Sequence, residues 1–357
     1  MQDVTTAEQI AELVRCHARL RVAGGGTKTA TSRRANVSLS GLSGVLQYDP
    51  AEFTFTAMAG TRLEEVQHLL ESKQQYLPFD PPLIEAGATL GGTVAAGLSG
   101  SGRLRYGGVR DFLLGVRMVT GRGEIVSTGS KVVKNAAGFD FPKLMVGSLG
   151  KFGVMTELTF KVFPAPQRFV TIALDVENLP RAVEMMNSLA TSQLDLACLD
   201  MDSSLKIWVR IAGIEASVVQ RAQRVLQFAG GCGTVLTDQQ DAETWRACRE
   251  FDWVPDGHDL IKGAITPNRI ATLTAALGEL PYRICVGGHL AWFAWPDAYP
   301  NQELDVMLRE LGFPAVALTG DWPSPWVGRH HGQVFDQRLV AALDPDHKFS
   351  LPDSIAV

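Results

Sequence analysis

The sequence lacks the cysteine spacing of a disulfide framework or of an iron–sulfur protein. Its five cysteines are scattered over 357 residues without a Cys-x-x-Cys pair, which predicts reduced thiols. No run of about 18 apolar residues occurs, so no membrane-spanning helix is expected. The net charge is −5, without the basic stripe typical of nucleic-acid-binding proteins. The first residues are acidic and amphipathic, unlike a secretory signal, which predicts a cytoplasmic protein.

Two common nucleotide-binding motifs are also absent. A Walker A loop needs glycine directly before lysine, but Lys28 follows Thr27. A dinucleotide fingerprint starting at Gly100 and Gly102 needs glycine where Arg105 stands. The sequence therefore predicts neither a P-loop nor a dinucleotide-binding site of the usual pattern.

Glycine and other small residues are abundant in two places. Residues 87–108 contain eight glycines interleaved with Ala, Ser and Thr, so this backbone can approach another body closely. A short helix of small residues is expected around 89–96, with free amides at its start for an anion. Residues 24–27, Gly-Gly-Gly-Thr, form either a plain loop or a nest of amides for a pyrophosphate.

Three motifs in this order resemble the flavin-binding domain of the vanillyl-alcohol-oxidase superfamily. They are AGGGTKT at 23–29, GATLGGTVAAGLSGSGRLRYGGVRDFLLGVR at 87–117 and VVKNAAGFDFPKLMVGSLGKFGVMTEL at 132–158. Within that superfamily they are most similar to the E subunits of bacterial glycolate oxidases. The resemblance covers about the first half of the chain and implies a two-part PCMH-type FAD-binding domain with a cap domain.

The resemblance also implies a set of cofactor-binding residues. The phosphates would be held by Gly24, Gly25, Gly26, Thr27 and Lys28, and by Thr89, Leu90, Gly91, Gly92 and Thr93. The slot for the ring system would include Gly97, Ser99 and Gly100, with Arg103 and Tyr106 at its end and Asn135 and Asp140 in the pocket. The adenine and ribose end would contact Gly147, Gly150, Gly153, Val154 and Thr156. For Arg103, Tyr106, Asn135 and Asp140 the residues themselves fit a solvated turn or a helix cap equally well.

Covalent attachment of the flavin is not expected. No histidine sits beside the 24–28 loop, and no cysteine lies near residues 96–108. The prediction is therefore non-covalent FAD.

The pattern of short strands and helices predicts an α+β fold in three segments. Residues 1–167 are expected to form the FAD-binding domain, with Thr61 and Glu64 as a capping box that opens a helix. Residues 168–319 show the order βαββαβ twice, which predicts a duplicated ferredoxin-like cap with an antiparallel sheet covered by helices. Residues 320–357 are expected to return to the FAD-binding domain. Relatives end in an Asn-Pro-Gly-Arg-like sequence, but here residues 349–353 read Phe-Ser-Leu-Pro-Asp, which weakens the expectation of a flavin contact from the tail.

Oxidation of a 2-hydroxy acid needs a base for the hydroxyl proton and a cation for the carboxylate. His289, Arg329 and His331 are the candidate catalytic residues, with Lys262 as a further cation. Related D-2-hydroxyacid dehydrogenases carry a His-x-Gly-Asp-Gly-Asn-x-His metal motif. This chain has only Gly-His-Leu at 288–290, and no metal is predicted.

The resemblance implies the FAD-binding subunit of a glycolate oxidase complex, an enzyme that oxidises short 2-hydroxy acids. Its partners would be a larger flavin subunit and an iron–sulfur subunit, which would place it peripherally at the inner membrane. Two alternatives remain open at this stage. One is a stand-alone flavin dehydrogenase for another hydroxy acid or alcohol. The other is a flavin-bearing relay or structural subunit without a substrate site.

Overall fold

The computed structural model describes residues 1–129 and 140–349, which form two compact units. The first unit consists of Met1–Ser99, Gly107–Ala165 and the segment from His331 onward. The second consists of Gly100–Tyr106 and Pro166–His330.

The first unit is built on a five-stranded antiparallel sheet with the order β4-β5-β9-β7-β8. A small parallel sheet, β1-β3-β2, and a two-stranded sheet, β6-β10, complete its strands in the described residues. Numbered along the chain, these strands are β1 (Gln2–Asp3), β2 (Val22–Ala23), β3 (Val37–Ser38), β4 (Val45–Asp49), β5 (Thr54–Met58), β6 (Gln75–Tyr76), β7 (Leu113–Val119), β8 (Ile125–Gly129), β9 (Val154–Lys161) and β10 (Phe163–Pro164). The helices of the unit are α1 (Ala7–Cys16), α2 (Thr29–Ser32), α3 (Leu63–Glu71), α4 (Leu90–Ala96), α6 (Val109–Phe112), α7 (Pro142–Met145) and α13 (Gln333–Leu343).

Alternation of side chains explains the central strand of this sheet. Along β9, Val154, Thr156, Leu158 and Phe160 are buried, while the intervening positions from Glu157 onward are partly exposed. Phe160 stacks on Phe55 of β5 at a centroid distance of 5.6 Å. Strand β9 therefore has one fully dry face, as its alternating sequence predicts.

The second unit is one nine-stranded antiparallel sheet with the order β14-β11-β13-β12-β16-β17-β15-β18-β19. Its elements are α5 (Arg103–Tyr106), β11 (Arg168–Asp175), α8 (Leu179–Ala190), β12 (Cys198–Asp202), β13 (Lys206–Gly213), α9 (Glu215–Phe228), β14 (Thr234–Val235), α10 (Asp238–Glu250), β15 (His258–Ala264), α11 (Ile270–Leu277), β16 (Tyr282–Cys285), β17 (Leu290–Pro296), α12 (Asn301–Leu311), β18 (Pro314–Ala317) and β19 (Trp326–Gly328). Two βαββαβ repeats thus join edge to edge through β12 and β16. The predicted α+β class and duplicated order are confirmed.

The division of the chain differs in detail from the predicted segments. Residues 320–330 stay with the second unit because β19 pairs with β18 and extends its sheet. Residues 100–106 also belong to the second unit. Their hydrogen bonds explain this, since the Ser101 hydroxyl donates to the buried carboxylate of Asp200 and Arg105 pairs with Asp195 at 2.7 Å.

Among the described residues, no helix is long and apolar enough to cross a membrane.

Candidate cofactor-binding pocket

A pocket in the first unit brings together the two glycine-rich turns and the start of β9. Its lining includes the predicted residues Gly24, Gly25, Gly26, Thr27, Lys28, Thr89, Gly91, Gly92, Gly150, Gly153 and Val154. The remaining lining residues are Leu20, Arg21, Val22, Ala23, Thr31, Ser32, Leu39, Ala59, Ala95, Ala96, Leu149, Met155 and Phe349.

The two turns approach each other so closely that side chains are excluded. A Cβ atom on Gly25 would lie 1.9 Å from the carbonyl oxygen of Gly87. A Cβ atom on Gly24 would lie 2.3 Å from the Thr89 hydroxyl oxygen. Glycine is therefore required at both positions to let the 24–28 loop pass over the start of α4.

The 24–28 loop presents unpaired donors. Within the described residues, the amides of Gly25, Gly26 and Thr27 donate to no protein acceptor. The buried hydroxyl of Thr27 likewise has no hydrogen-bond partner in this part of the chain. A buried polar group without a partner is costly, so the Thr27 hydroxyl indicates a site for an acceptor-rich ligand. The amides of Gly25 and Gly26, which are exposed to solvent, can donate to the same ligand.

The amides at the start of α4 are not available as donors to a ligand. The amide of Leu90 donates to the Thr61 carbonyl at 3.0 Å, and that of Gly91 donates to the Ala59 carbonyl at 2.7 Å. The Thr89 hydroxyl caps the helix by accepting from Gly92 at 3.3 Å. The expectation of free helix amides for an anion is therefore wrong, because the neighbouring strand and the cap use these donors.

Lys28 supplies a buried positive charge. Its side chain is 8% exposed, and its ammonium nitrogen would lie 3.4 Å from a Cβ atom on Gly92. Burial lowers the pKa of Lys28 from 10.5 to about 8. No carboxylate pairs with this lysine within the described ranges 1–129 and 140–349. The site thus combines a desolvated cation with unpaired amides and a hydroxyl, which are the groups that a pyrophosphate requires.

The predicted adenine-side residues divide into pocket residues and structural residues. Gly150, Gly153 and Val154 line the pocket. Gly147 instead packs on α4, where its amide donates to the Val94 carbonyl at 2.9 Å. Thr156 is fully buried in β9 and donates to the Arg117 carbonyl at 3.0 Å, so it does not line the pocket.

The remaining predicted cofactor residues lie outside this pocket lining. Leu90 and Thr93 are buried in α4, and the Thr93 hydroxyl is without a partner in the described chain. The Ser99 hydroxyl accepts from the Val109 amide at 2.9 Å. Gly100, Arg103 and Tyr106 belong to the second unit, where Arg103 is exposed. Asp140 is exposed and pairs with Lys143 at 2.5 Å, while Asn135 lies outside the described residues.

The candidate catalytic residues do not line the pocket. His289 is exposed at the start of β17, and Arg329 is exposed just after β19, both in the second unit. His331 is exposed in the first unit. In the part of the chain that the structure describes, no three His, Cys, Asp or Glu side chains are placed to hold a metal ion.

Several residues that line the pocket were not among the predicted cofactor-binding residues. Leu20 and Arg21 directly precede β2, and Leu39 directly follows β3. Phe349 lines the pocket from the other end of the chain. The tail therefore reaches the pocket, although its departure from the ending of the relatives had made a contact from the tail doubtful.

Comparison with known proteins agrees with this geometry. Residues 3–129 match the family described as FAD binding domain. The chain is 39% identical to glycolate oxidase subunit GlcE of Escherichia coli K12 over 204 residues. These aligned residues cover 55% of this chain and 56% of that protein. Over 212 residues it is 28% identical to glycolate oxidase subunit GlcD of Bacillus subtilis 168, covering 59% of this chain and 44% of that one. The matches span about half the length of these relatives.

The fold has well-matched solved counterparts. The structure of p-cresol methylhydroxylase with substrate bound superposes with a TM-score of 0.75 at 13% identity, covering 97% of this chain and 87% of that chain. At this identity the likeness concerns the fold alone. Residues 3–129 thus match an FAD-binding domain, and the fold of the chain is similar to that of p-cresol methylhydroxylase.

Proposed function

We propose that this chain is the FAD-binding subunit of an oxidoreductase that converts short 2-hydroxy acids, such as glycolate, into 2-oxo acids. The observation that carries the proposal is the buried Lys28 beneath a loop of unpaired donors. Such a cation is favourable only when a ligand brings negative charge to it. Similarity to glycolate oxidase subunits and to D-lactate dehydrogenase of Anaerostipes hadrus, 32% identical over 186 residues, supports the substrate class.

In this proposal the residues of the pocket bind and orient the cofactor. The amides of Gly25 and Gly26 and the Thr27 hydroxyl donate to the phosphates, while the ammonium of Lys28 neutralises them. Bound FAD supplies a two-electron acceptor for hydride from the substrate carbon. The association is proposed to be non-covalent, which agrees with the lack of histidine and cysteine among the described residues that line this pocket.

The substrate side of the proposal rests on residue chemistry. A histidine such as His289 or His331 would accept the hydroxyl proton, and the guanidinium of Arg329 would bind the carboxylate. These roles are proposed for side chains that are exposed to solvent.

The electrons are proposed to pass to a larger flavin subunit and an iron–sulfur subunit. Similarity to two different subunits of glycolate oxidase supports an assembly in which two related flavoproteins occur together. The chain itself would then be active within that complex.

The test is an anaerobic absorbance spectrum of the purified, FAD-loaded chain before and after addition of glycolate. The visible absorbance of bound flavin is expected in the wild type. It is expected to be lost in Gly25→Ala, because the added methyl group would collide with the Gly87 carbonyl oxygen. Gly263→Ala is the control, since its Cβ atom would lie 3.4 Å from the Phe293 ring in the second unit, which is an ordinary van der Waals contact, and its backbone is not in the left-handed region. A wild-type chain that binds no FAD would refute the proposal.

The response to glycolate separates the candidate functions. Bleaching only after the partner subunits are added supports the complex. Bleaching of the isolated chain by glycolate, lactate or an alditol supports a stand-alone dehydrogenase. A relay subunit without a substrate site would be reduced by electrons from the partners but by no hydroxy acid directly.

A further inference from the structure

The last described residues, 344–349, form a tail that is hydrogen-bonded to other residues of the first unit beside the pocket. The amide of Leu20 donates to the Lys348 carbonyl at 2.8 Å. The ammonium of Lys348 donates to the carbonyls of Val14 and His17, at the end of α1. These bonds hold the tail alongside the strand that leads into the 24–28 loop.

Asp344 fixes the conformation of the tail from within. Its carboxylate is fully buried and accepts from the amides of Lys348 and Phe349, each at 2.9 Å. The site leaves no room for a side chain at position 121, because a Cβ atom on Gly121 would lie 2.3 Å from an Asp344 carboxylate oxygen. The amide of Gly121 also donates to the Leu343 carbonyl at 2.8 Å. The tail therefore has one defined geometry as it reaches the pocket.

Phe349 closes the apolar side of the pocket. It is 5% exposed and packs in one hydrophobic cluster with Leu20, Leu39 and Val154. All four of these residues also line the pocket. The pocket thus has a polar wall, formed by the 24–28 loop and Gly92, and an apolar wall that contains one aromatic ring.

We propose that Phe349 forms the wall against which the adenine ring of FAD packs, so that the tail of the chain selects FAD over flavin mononucleotide. The inference rests on the proposed function, because it assumes that the polar wall binds the phosphates. An apolar wall with an aromatic ring can hold a purine by stacking and burial, which need no polar side chain. Asp344 is a positioning residue, since it acts by fixing the backbone of Phe349.

Binding of FAD, ADP and flavin mononucleotide to the apoprotein tests the inference. In Phe349→Ala, the dissociation constants of FAD and ADP are expected to rise about tenfold or more, as stacking energies imply. The affinity for flavin mononucleotide, which has no adenine, is expected to be unchanged. Phe335→Ala is the matched control, because Phe335 is 53% exposed on α13 and is not among the pocket residues.

A second variant separates positioning from stability. Asp344→Asn is expected to weaken FAD and ADP but not flavin mononucleotide, and to add little further loss when combined with Phe349→Ala. A general loss of folding would weaken all three ligands equally, and that result would overturn the inference. Unchanged FAD affinity in Phe349→Ala would also overturn it while leaving the proposed function intact. A wild-type chain that binds neither FAD nor ADP would refute both.

Discussion

Lys28 is the residue on which the pocket depends most directly. Burial lowers its pKa to about 8, so at neutral pH the apoprotein holds a lysine charge that is removed from water. The unfolded chain binds the Lys28 proton more tightly than the folded apoprotein does. The apoprotein therefore carries a full stability penalty below about pH 8, and the penalty is relieved as the pH rises from about 8 towards 10.5.

The prediction for Lys28→Met follows from this stability penalty of the charged lysine. At pH 7 the free energy of unfolding of the apoprotein is expected to rise, by at most about 3 kcal/mol, because the penalty disappears. FAD affinity is expected to fall, because the phosphates lose their counter-charge. In the wild type, FAD affinity should decrease above pH 8 by up to about tenfold per pH unit, as the neutral lysine must take up a proton on binding.

Urea unfolding and FAD titration between pH 6.5 and 9.5, a range on either side of the lowered pKa, provide the measurements. Lys143→Met is the control, because Lys143 is half-exposed and pairs with Asp140 on the surface. If Lys28→Met bound FAD as tightly as the wild type at every pH, the assigned role of the ammonium would be wrong.

At the scale of elements, periodic sequences are predictable and the ends of elements are less so. The longer strands and helices of the second unit, such as β11, α8 and β17, follow the predicted order because each is long enough to show its apolar period. Thr61 shows the limit. It was expected to cap α3 together with Glu64, but the helix begins at Leu63, and the Thr61 hydroxyl instead accepts from the Gly44 amide at 2.9 Å. The hydrogen bond with Gly44, which is distant in sequence, thus replaces the predicted helix cap.

The candidate site shows the same contrast between local and distant contacts. The loop at 24–28 was predictable because three consecutive glycines and a threonine are a local signal. The pairing of the α4 amides with Ala59 and Thr61 depends on a strand end that no spacing reveals. Phe349 is held at the pocket because its backbone amide donates to the Asp344 carboxylate. A single sequence does not predict this contact either.

Helix α10 carries a prediction at this scale, since a buried polar network attaches it to β11 and β13. Asp241 is paired with Arg210 at 2.5 Å and also accepts from the Thr171 hydroxyl. Thr171 in turn accepts from the indole nitrogen of Trp245 at 2.7 Å. Asp241→Asn should lower the free energy of unfolding by about 3 kcal/mol or more, because Arg210 would remain as an uncompensated buried charge.

Urea denaturation monitored by tryptophan fluorescence measures this loss. Asp238→Asn is the matched control on the same helix, because the side chain of Asp238 is 74% exposed where it pairs with Arg168. An exposed pair contributes about 1 kcal/mol at most. Equal destabilisation by the two substitutions would show that the network does not stabilise the packing of α10 on β11 and β13.

At the scale of the whole molecule, the two units can be observed separately. All seven tryptophans lie between positions 208 and 326, within the second unit, whereas the flavin pocket is lined by residues of the first. Tryptophan fluorescence therefore reports on the second unit, and flavin absorbance reports on the pocket. The predicted segments differ from this partition at residues 100–106 and 320–330, which belong to the second unit through contacts distant in sequence.

Asp259 makes the second unit sensitive to pH. It is 6% exposed on β15 and accepts from the indole nitrogen of Trp322 at 2.8 Å. Burial, with a smaller contribution from Asp297, raises the pKa of Asp259 to about 6. The folded unit thus binds the Asp259 proton more tightly than the unfolded chain does. Its ionisation carries a full stability penalty above about pH 6, and the penalty is relieved as the pH falls from about 6 towards 4.

Asp259→Asn should abolish this contribution while keeping an acceptor for Trp322. We expect the variant to be more stable than the wild type at pH 7.5, by about 2 kcal/mol, and the difference to shrink as the pH falls below 6. Urea unfolding followed by tryptophan fluorescence at several pH values measures it, with exposed Asp256→Asn as the control. A difference that grows towards low pH would mean that Asp259 is ionised favourably in the fold, because the carboxylate would then gain more from Trp322 than it loses by burial.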